Sequence, residues 1–227
     1  MRAHAHSLVM DAVIPTEAET GPLSATGRKV LDAAGDLLRA TGQLSMRSLV
    51  QSAGVANMTP YNLFGSKHGL LAALSQKELG HAIGRTAQVR SADSLEHVFA
   101  ALDIGFEMFS GDENYYRALY RAAYASSDPS LIEVFQAPRI LYWNSLLDAC
   151  REQGFLVKTT RSDTLTQILM YTYTGAVQRW IEKTIGTRQL YAEINYVLMI
   201  LFLSHATPKG RDRLQKRMRQ WEAFLHA

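Results

Sequence analysis

One feature constrains this chain more than any other. A 3.6-residue apolar period starts near residue 24 and returns in segment after segment, with turn residues between. Val30, Leu31, Ala34, Leu37 and Leu38 make one helical face, which Thr41-Gly42 stops. Ser45 then caps a short helix with Met46, Leu49 and Val50 on one side, and Gly54 ends it. A third short segment, Ala56 to Phe64, follows, and Gly65-Ser66 resets the chain into a longer helix from Lys67. The same period predicts helices over 94–110, 113–126, Pro129 to Gly154, 162–185 and 189–205, with Thr207-Pro208 opening a basic last one. Ser110-Gly111 and Ser126-Ser127-Asp128 punctuate the series. Pro138, inside the segment that begins at Pro129, predicts a kink or break. Gly80 and Gly84 predict a helix end or kink in the helix from Lys67. No stretch keeps strand alternation between hairpin turns; Tyr171 to Thr174 alternates inside a helical pattern. The expected fold is all α, with about nine or ten helices.

The formal charge of +3 is unevenly spread. Residues 24–90 carry eight Lys and Arg against three Asp and Glu, whereas 91–206 carry nine against thirteen. Residues 207–227 have six against two, and residues 1–23 one against three. A small basic segment followed by a larger acidic one suggests a polyanion-binding module joined to a helical body. Residues 1–23, with Pro15, Gly21 and Pro22 and no sustained period, read as a mobile arm.

The chemistry lies in Gly54 to Lys67, GVANMTPYNLFGSK, behind the helix of residues 26–40. A helix that enters the major groove needs short side chains able to approach base edges and flanking donors for phosphates. Asn57, Thr59 and Asn62 are of the first type, and Tyr61 and Lys67 of the second. Leu63 and Phe64 are expected to pack the helix down. Ser45 and Arg47 sit where the preceding helix offers free amides to a phosphate. Two short helices with a Gly turn, braced by a longer one, make a helix-turn-helix.

Over residues 26–74 the chain resembles the DNA-binding domain of the TetR family of transcriptional regulators. The resemblance rests on VLDAAGDLL, SMRSLVQSAGV, TPYNLF and GSKHGLLAAL, in that order and spacing. It implies a homodimer whose N-terminal domains read a palindromic double-stranded operator, and a larger helical domain that dimerises and binds a small effector. The implied division is an arm at 1–23, a three-helix helix-turn-helix domain at 24–75 and an effector-binding and dimerisation domain at 76–227. Ser45, Arg47, Asn57, Thr59, Pro60, Tyr61, Asn62 and Lys67 are the implied DNA-binding residues. Two positions depart from the family pattern. Ala56 stands where a Ser cap is usual, and Pro60 where a non-proline apolar residue is usual. If Thr59 caps the helix, Pro60 is a favourable first helical residue; if the helix starts at Asn57, Pro60 removes its first internal bond.

Tyr116, Tyr120 and Tyr124 recur at i, i+4 and i+8, and Phe106, Trp143, Met170 and Tyr171 lie in neighbouring expected helices. Such a stripe fits plain core packing. It also fits an effector pocket, because buried phenols need partners and a pocket with a few convergent polar groups supplies them. These seven residues are the candidate effector site, for a largely apolar molecule. Thr172, Gly175, Ala176 and Arg179 form a narrow face, and Ile194 to Leu203 is apolar nearly all round. A homodimer joined through a four-helix bundle satisfies both.

Composition excludes the other classes. One cysteine, Cys150, permits no internal disulfide and no Cys-rich zinc module, and fits a reducing cytoplasm. The longest apolar run, Tyr196 to Leu203, is far short of the roughly 20 residues a membrane span requires. Leu8 to Ile14 is broken by Asp11 and does not read as an export signal. No GxSxG, Walker, GxGxxG or HExxH motif is present, and the seven histidines, His4-x-His6 included, lack metal-ligand spacing. A cytoplasmic regulator without enzymatic activity, cofactor, metal or membrane contact is therefore expected. The basic tail reads as a solvated face with Leu214, Met218, Trp221 and Leu225 inward. The competing reading is a helical small-molecule-binding protein without operator recognition, to which the Ala56 and Pro60 departures point.

Overall fold

Capping chemistry sets the first helices of the computed structural model, which describes residues 23–125, 129–222 and 224–225. Helix α1 spans Ala25–Thr41, and the Ser24 hydroxyl accepts the Gly27 amide at 3.0 Å. Helix α2 is Met46–Ala53, with the Ser45 hydroxyl accepting from Ser48 at 3.4 Å. Both caps satisfy amides that have no partner inside their own helix. Gly54 ends α2 at φ 56°, a left-handed conformation that glycine adopts without a side-chain clash. Helix α3 is Thr59–Phe64 and α4 is Lys67–Ala87. The corner between them needs glycine at position 69, where a Cβ would lie 2.0 Å from the Phe64 carbonyl oxygen.

Six further helices follow: α5 (Ser94–Gly111), α6 (Glu113–Tyr124), α7 (Pro129–Glu152), α8 (Ser162–Ile181), α9 (Thr187–His205) and α10 (Pro208–Glu222). The only β pairing among the described residues is the isolated bridge between Leu156 and Ala206. The all-α expectation holds. The expected arm over 1–22 and the stop at 126–128 lie outside the described residues.

The chain divides into two compact units, Met1–His81 with Asp112–Arg139, and Ala82–Gly111 with Ile140–Ala227. In the first, α1 packs against α2, α3 and α6, burying Val30, Leu31, Ala34, Leu38, Leu49 and Leu119. Ion pairs brace its outside: Lys77 on α4 reaches Asp32 at 2.7 Å, and Arg39 reaches Asp112 at 2.7 Å. In the second, α9 lies against α5, α8 and α10, with Leu190, Leu198, Met199 and Phe202 buried. The Trp180 indole N–H is satisfied by the Thr187 hydroxyl at 3.0 Å.

The expected helix end at Gly80 or Gly84 and the expected break at Pro138 are corrected. Helix α4 runs through Gly80 and Gly84 to Ala87, so neither glycine ends it; two glycines cost about 1 kcal/mol each, which 21 residues of helix absorb. Helix α7 continues through Pro138 without a break. The Arg139 guanidinium next to it donates to the Phe135 carbonyl. Much of the apolar girth of α9 is covered by α5, α8 and α10 of the same chain, while Tyr196, Val197, Leu201 and Leu203 stay half-buried. What remains exposed is Ile200 on α9, and Ile168 and Tyr171 on α8.

Helix α10 is basic, and two of its arginines are ion-paired within the chain. Arg213 donates to Asp93 at 2.6 Å and also pairs with Glu96, and Arg217 reaches Asp103 at 2.5 Å and the Asn195 side chain at 3.1 Å. Leu214 and Trp221 are buried, as its pattern requires, and Met218 and Leu225 are half-buried.

Candidate nucleic-acid interface

The candidate interface is built on helix α3, whose start matches neither of the two registers left open by Ala56 and Pro60. The helix begins at Thr59, with Met58 at the cap position and no side-chain cap bond. Residues 56–59 form a turn ahead of it, in which the Ala56 carbonyl accepts the Thr59 amide at 2.9 Å. Pro60 therefore falls at the second helical position. Its missing N–H is one that the first turn leaves unbonded in any case, so the helix loses nothing. The first internal bond runs from the Asn62 amide to the Met58 carbonyl at 2.9 Å, and Gly65 closes the helix on the Tyr61 carbonyl at 2.8 Å.

Pro60 is buried and anchors α3 to its unit. The opposite face carries Met58, Tyr61 and Asn62, all exposed, with Asn57 exposed in the turn before them. Thr59 is half-buried. Ser45 uses its hydroxyl on its own helix, while Arg47 in the first turn of α2 and Lys67 at the start of α4 are exposed. Neither has an ion-pair partner among the described residues. On the far side of α2, Arg28 and Lys29 share a groove of 480 Å³ with Asp32, Asp36 and Ser52; the carboxylates there leave no uniformly positive surface.

Two residues depart from their expected roles. Leu63, expected to pack inward with Phe64, is 39% exposed, because Pro60 and Phe64 already occupy the inner face of this six-residue helix. Met58, which sequence reasoning did not single out, is 61% exposed. A methionine inside an apolar pattern reads as core, and only the late start of α3 turns it outward.

The tyrosine stripe also finds its partners. Tyr116 donates to Glu78 at 2.8 Å, and Tyr115, beside it, donates to the other oxygen of the same carboxylate at 2.9 Å. Both phenols are held far above their ordinary value, first by burial and then by the Glu78 charge and hydrogen bond. The Arg39 guanidinium lies 4.3 Å from the Tyr115 ring centre. Tyr120 accepts from Arg139 at 3.0 Å and stacks on Tyr124 at 6.1 Å. All of these belong to the first unit. Of the other candidate effector residues, Phe106 packs edge-on to Tyr191 and Trp221, Trp143 lies beside Tyr142, Met170 is buried and Tyr171 is 69% exposed. These four belong to the second unit.

No protein-family model matches the chain, and no curated protein does. Solved structures do. Thermus thermophilus FadR, a TetR-family repressor in complex with lauroyl-CoA, aligns at 18% identity and a TM-score of 0.64, covering 80% of this chain and 97% of that one. Bacillus subtilis FadR in complex with stearoyl-CoA aligns at 20% identity and 0.60, covering 77% and 97%. A TetR transcriptional regulator from Rhodococcus sp. RHA1 gives 18% and 0.60, over 78% and 95%. The chain has the all-α fold of the TetR-family transcriptional regulators.

Proposed function

We propose that this chain is a cytoplasmic, homodimeric DNA-binding transcriptional regulator, a repressor that leaves its palindromic operator when a small, largely apolar effector binds. The observation that carries the reading is helix α3. It is pinned by buried Pro60, turns Asn57, Tyr61 and Asn62 outward, and is flanked by Arg47 and Lys67, cations without an ion-pair partner among the described residues. Amide side chains suit base edges, and the cations and Tyr61 suit phosphates on either side. Segment 24–75 acts as the reading domain and 76–227 as the effector and dimer domain. The exposed strip of Ile168, Tyr171 and Ile200 on α8 and α9 is the dimer surface, and the dimer offers two reading heads to successive major grooves. Effector binding selects a conformation in which the heads no longer match that spacing. The protein works by binding and needs no catalytic group.

Fold neighbours that hold lauroyl-CoA and stearoyl-CoA make long-chain acyl thioesters the first effectors to test.

The experiment is a footprint on the DNA flanking the chain's own gene, with salt varied, followed by titration of lauroyl-CoA and stearoyl-CoA into the complex. A protected palindrome, with affinity falling steeply as salt rises, supports the reading. No protection at low salt overturns it in favour of a small-molecule-binding protein without operator recognition.

A further inference from the structure

We infer that Met58 reads the C5-methyl group of a pyrimidine in the major groove and so fixes one position of each operator half-site. This rests on the DNA-binding reading above.

Three observations carry it. Met58 is 61% exposed, so it contributes little to the core, and an apolar side chain held in water there brings no folding benefit. It shares a face with Tyr61 and Asn62, at i+3 and i+4, and the 2.9 Å bond from the Asn62 amide to its carbonyl fixes that register. Buried Pro60 lies on the opposite side. Finally, the surroundings are not those of an apolar docking patch. Asn57 and Asn62 adjoin it, and the cations Arg47 and Lys67 lie on the flanking elements. Amides and cations around one apolar group match a polyanion whose edge offers hydrogen-bonding groups and one apolar knob. In duplex DNA that knob is the methyl of thymine, or of 5-methylcytosine. The unbranched thioether, with three rotatable bonds, can follow the methyl without demanding one backbone placement.

The test uses the duplex protected in the footprint, made with deoxyuridine for thymidine at one position at a time, and separately with 5-methyldeoxycytidine for deoxycytidine. Each change removes or adds only a methyl and keeps the base pairing. Binding is read by fluorescence anisotropy for the wild type, Met58→Ala and Met58→Leu. Far-UV circular dichroism checks that the exposed substitutions leave the fold intact. One position per half-site is expected to respond about fourfold to a methyl, and about fifteenfold when both half-sites are changed. At that position Met58→Ala is indifferent, while Met58→Leu keeps the response. A response in the deoxyuridine arm assigns the methyl to thymine, and a gain only in the 5-methyl arm assigns it to methylated cytosine; either supports the inference. DNA bound with no methyl-sensitive position, or with full sensitivity kept in Met58→Ala, overturns it and leaves the DNA-binding reading standing. Failure to bind any duplex overturns both.

Discussion

Removing the Glu78 side chain should destabilise the first unit by an amount set by the two phenols it leaves behind. Tyr115 is 1% exposed and Tyr116 is 5% exposed, and each spends its hydroxyl on one Glu78 oxygen. A buried donor left without an acceptor costs about 1–3 kcal/mol, and two such donors bound the loss at about 2–6 kcal/mol. Glu78 is only half-buried, so water reaches part of the vacated space and the lower half of that range applies, about 2–4 kcal/mol. Against a total stability of about 5–15 kcal/mol this is a large fraction. The comparison that isolates the cause is Glu78→Ala in the wild type and in a Tyr115→Phe, Tyr116→Phe background. With no hydroxyls to orphan, the second background should feel the loss by under about 1 kcal/mol. Urea unfolding followed by far-UV circular dichroism gives both values. Equal losses in the two backgrounds, or a loss below about 0.5 kcal/mol in the wild type, would refute the reasoning. The same phenols predict an alkaline limit. Their folded values lie above the ordinary one, so their contribution is present below about pH 10 and is lost as pH rises through those values.

Other outcomes follow from the structure. On the proposed reading, Arg47→Ala and Lys67→Ala should weaken operator binding evenly across sequences. Each should lower the slope of log affinity against log salt by about 1 for every phosphate it ceases to neutralise, measured by anisotropy at several salt concentrations. Tyr171→Glu, at a side chain 69% exposed, should convert the proposed dimer to monomer in light scattering at micromolar concentration while leaving helicity unchanged. An unaltered dimer would move the interface elsewhere. Asp93 is held below the usual carboxylate range: burial opposes its charge, but the Arg213 hydrogen bond and charge outweigh it. The stability it supplies is present above about pH 4 and is lost as pH falls through the lower folded value. Asp93→Asn should therefore flatten the acid side of a melting-temperature profile, and an unchanged profile would show the pair to be neutral.

Local chemistry in the sequence determined the helices themselves. Ser24 and Ser45 announce their caps because a hydroxyl there meets free amides whatever the rest of the chain does, and Gly54 announces a stop because few other residues enter the left-handed region. The absence of strand alternation settled the all-α class for the same reason. Asn57, Tyr61, Asn62, Arg47 and Lys67, the polar residues of the proposed reading face, are all exposed.

Tertiary structure decided what depends on a distant partner. The start of α3 at Thr59 lies between the two registers left open, at Asn57 and at Pro60, and in it Met58 and Leu63 are exposed. Residues 112–139 join the unit that contains α1 because Arg39 finds Asp112 and Glu78 finds Tyr115 and Tyr116, across separations of 73, 37 and 38 residues. Two arginines of the basic last helix, Arg213 and Arg217, brace it against Asp93 and Asp103, more than a hundred residues away. Periodicity reports which side of a helix is apolar. It does not report which helix will cover that side, because the energy of that choice lies in packing between segments that no local pattern encodes.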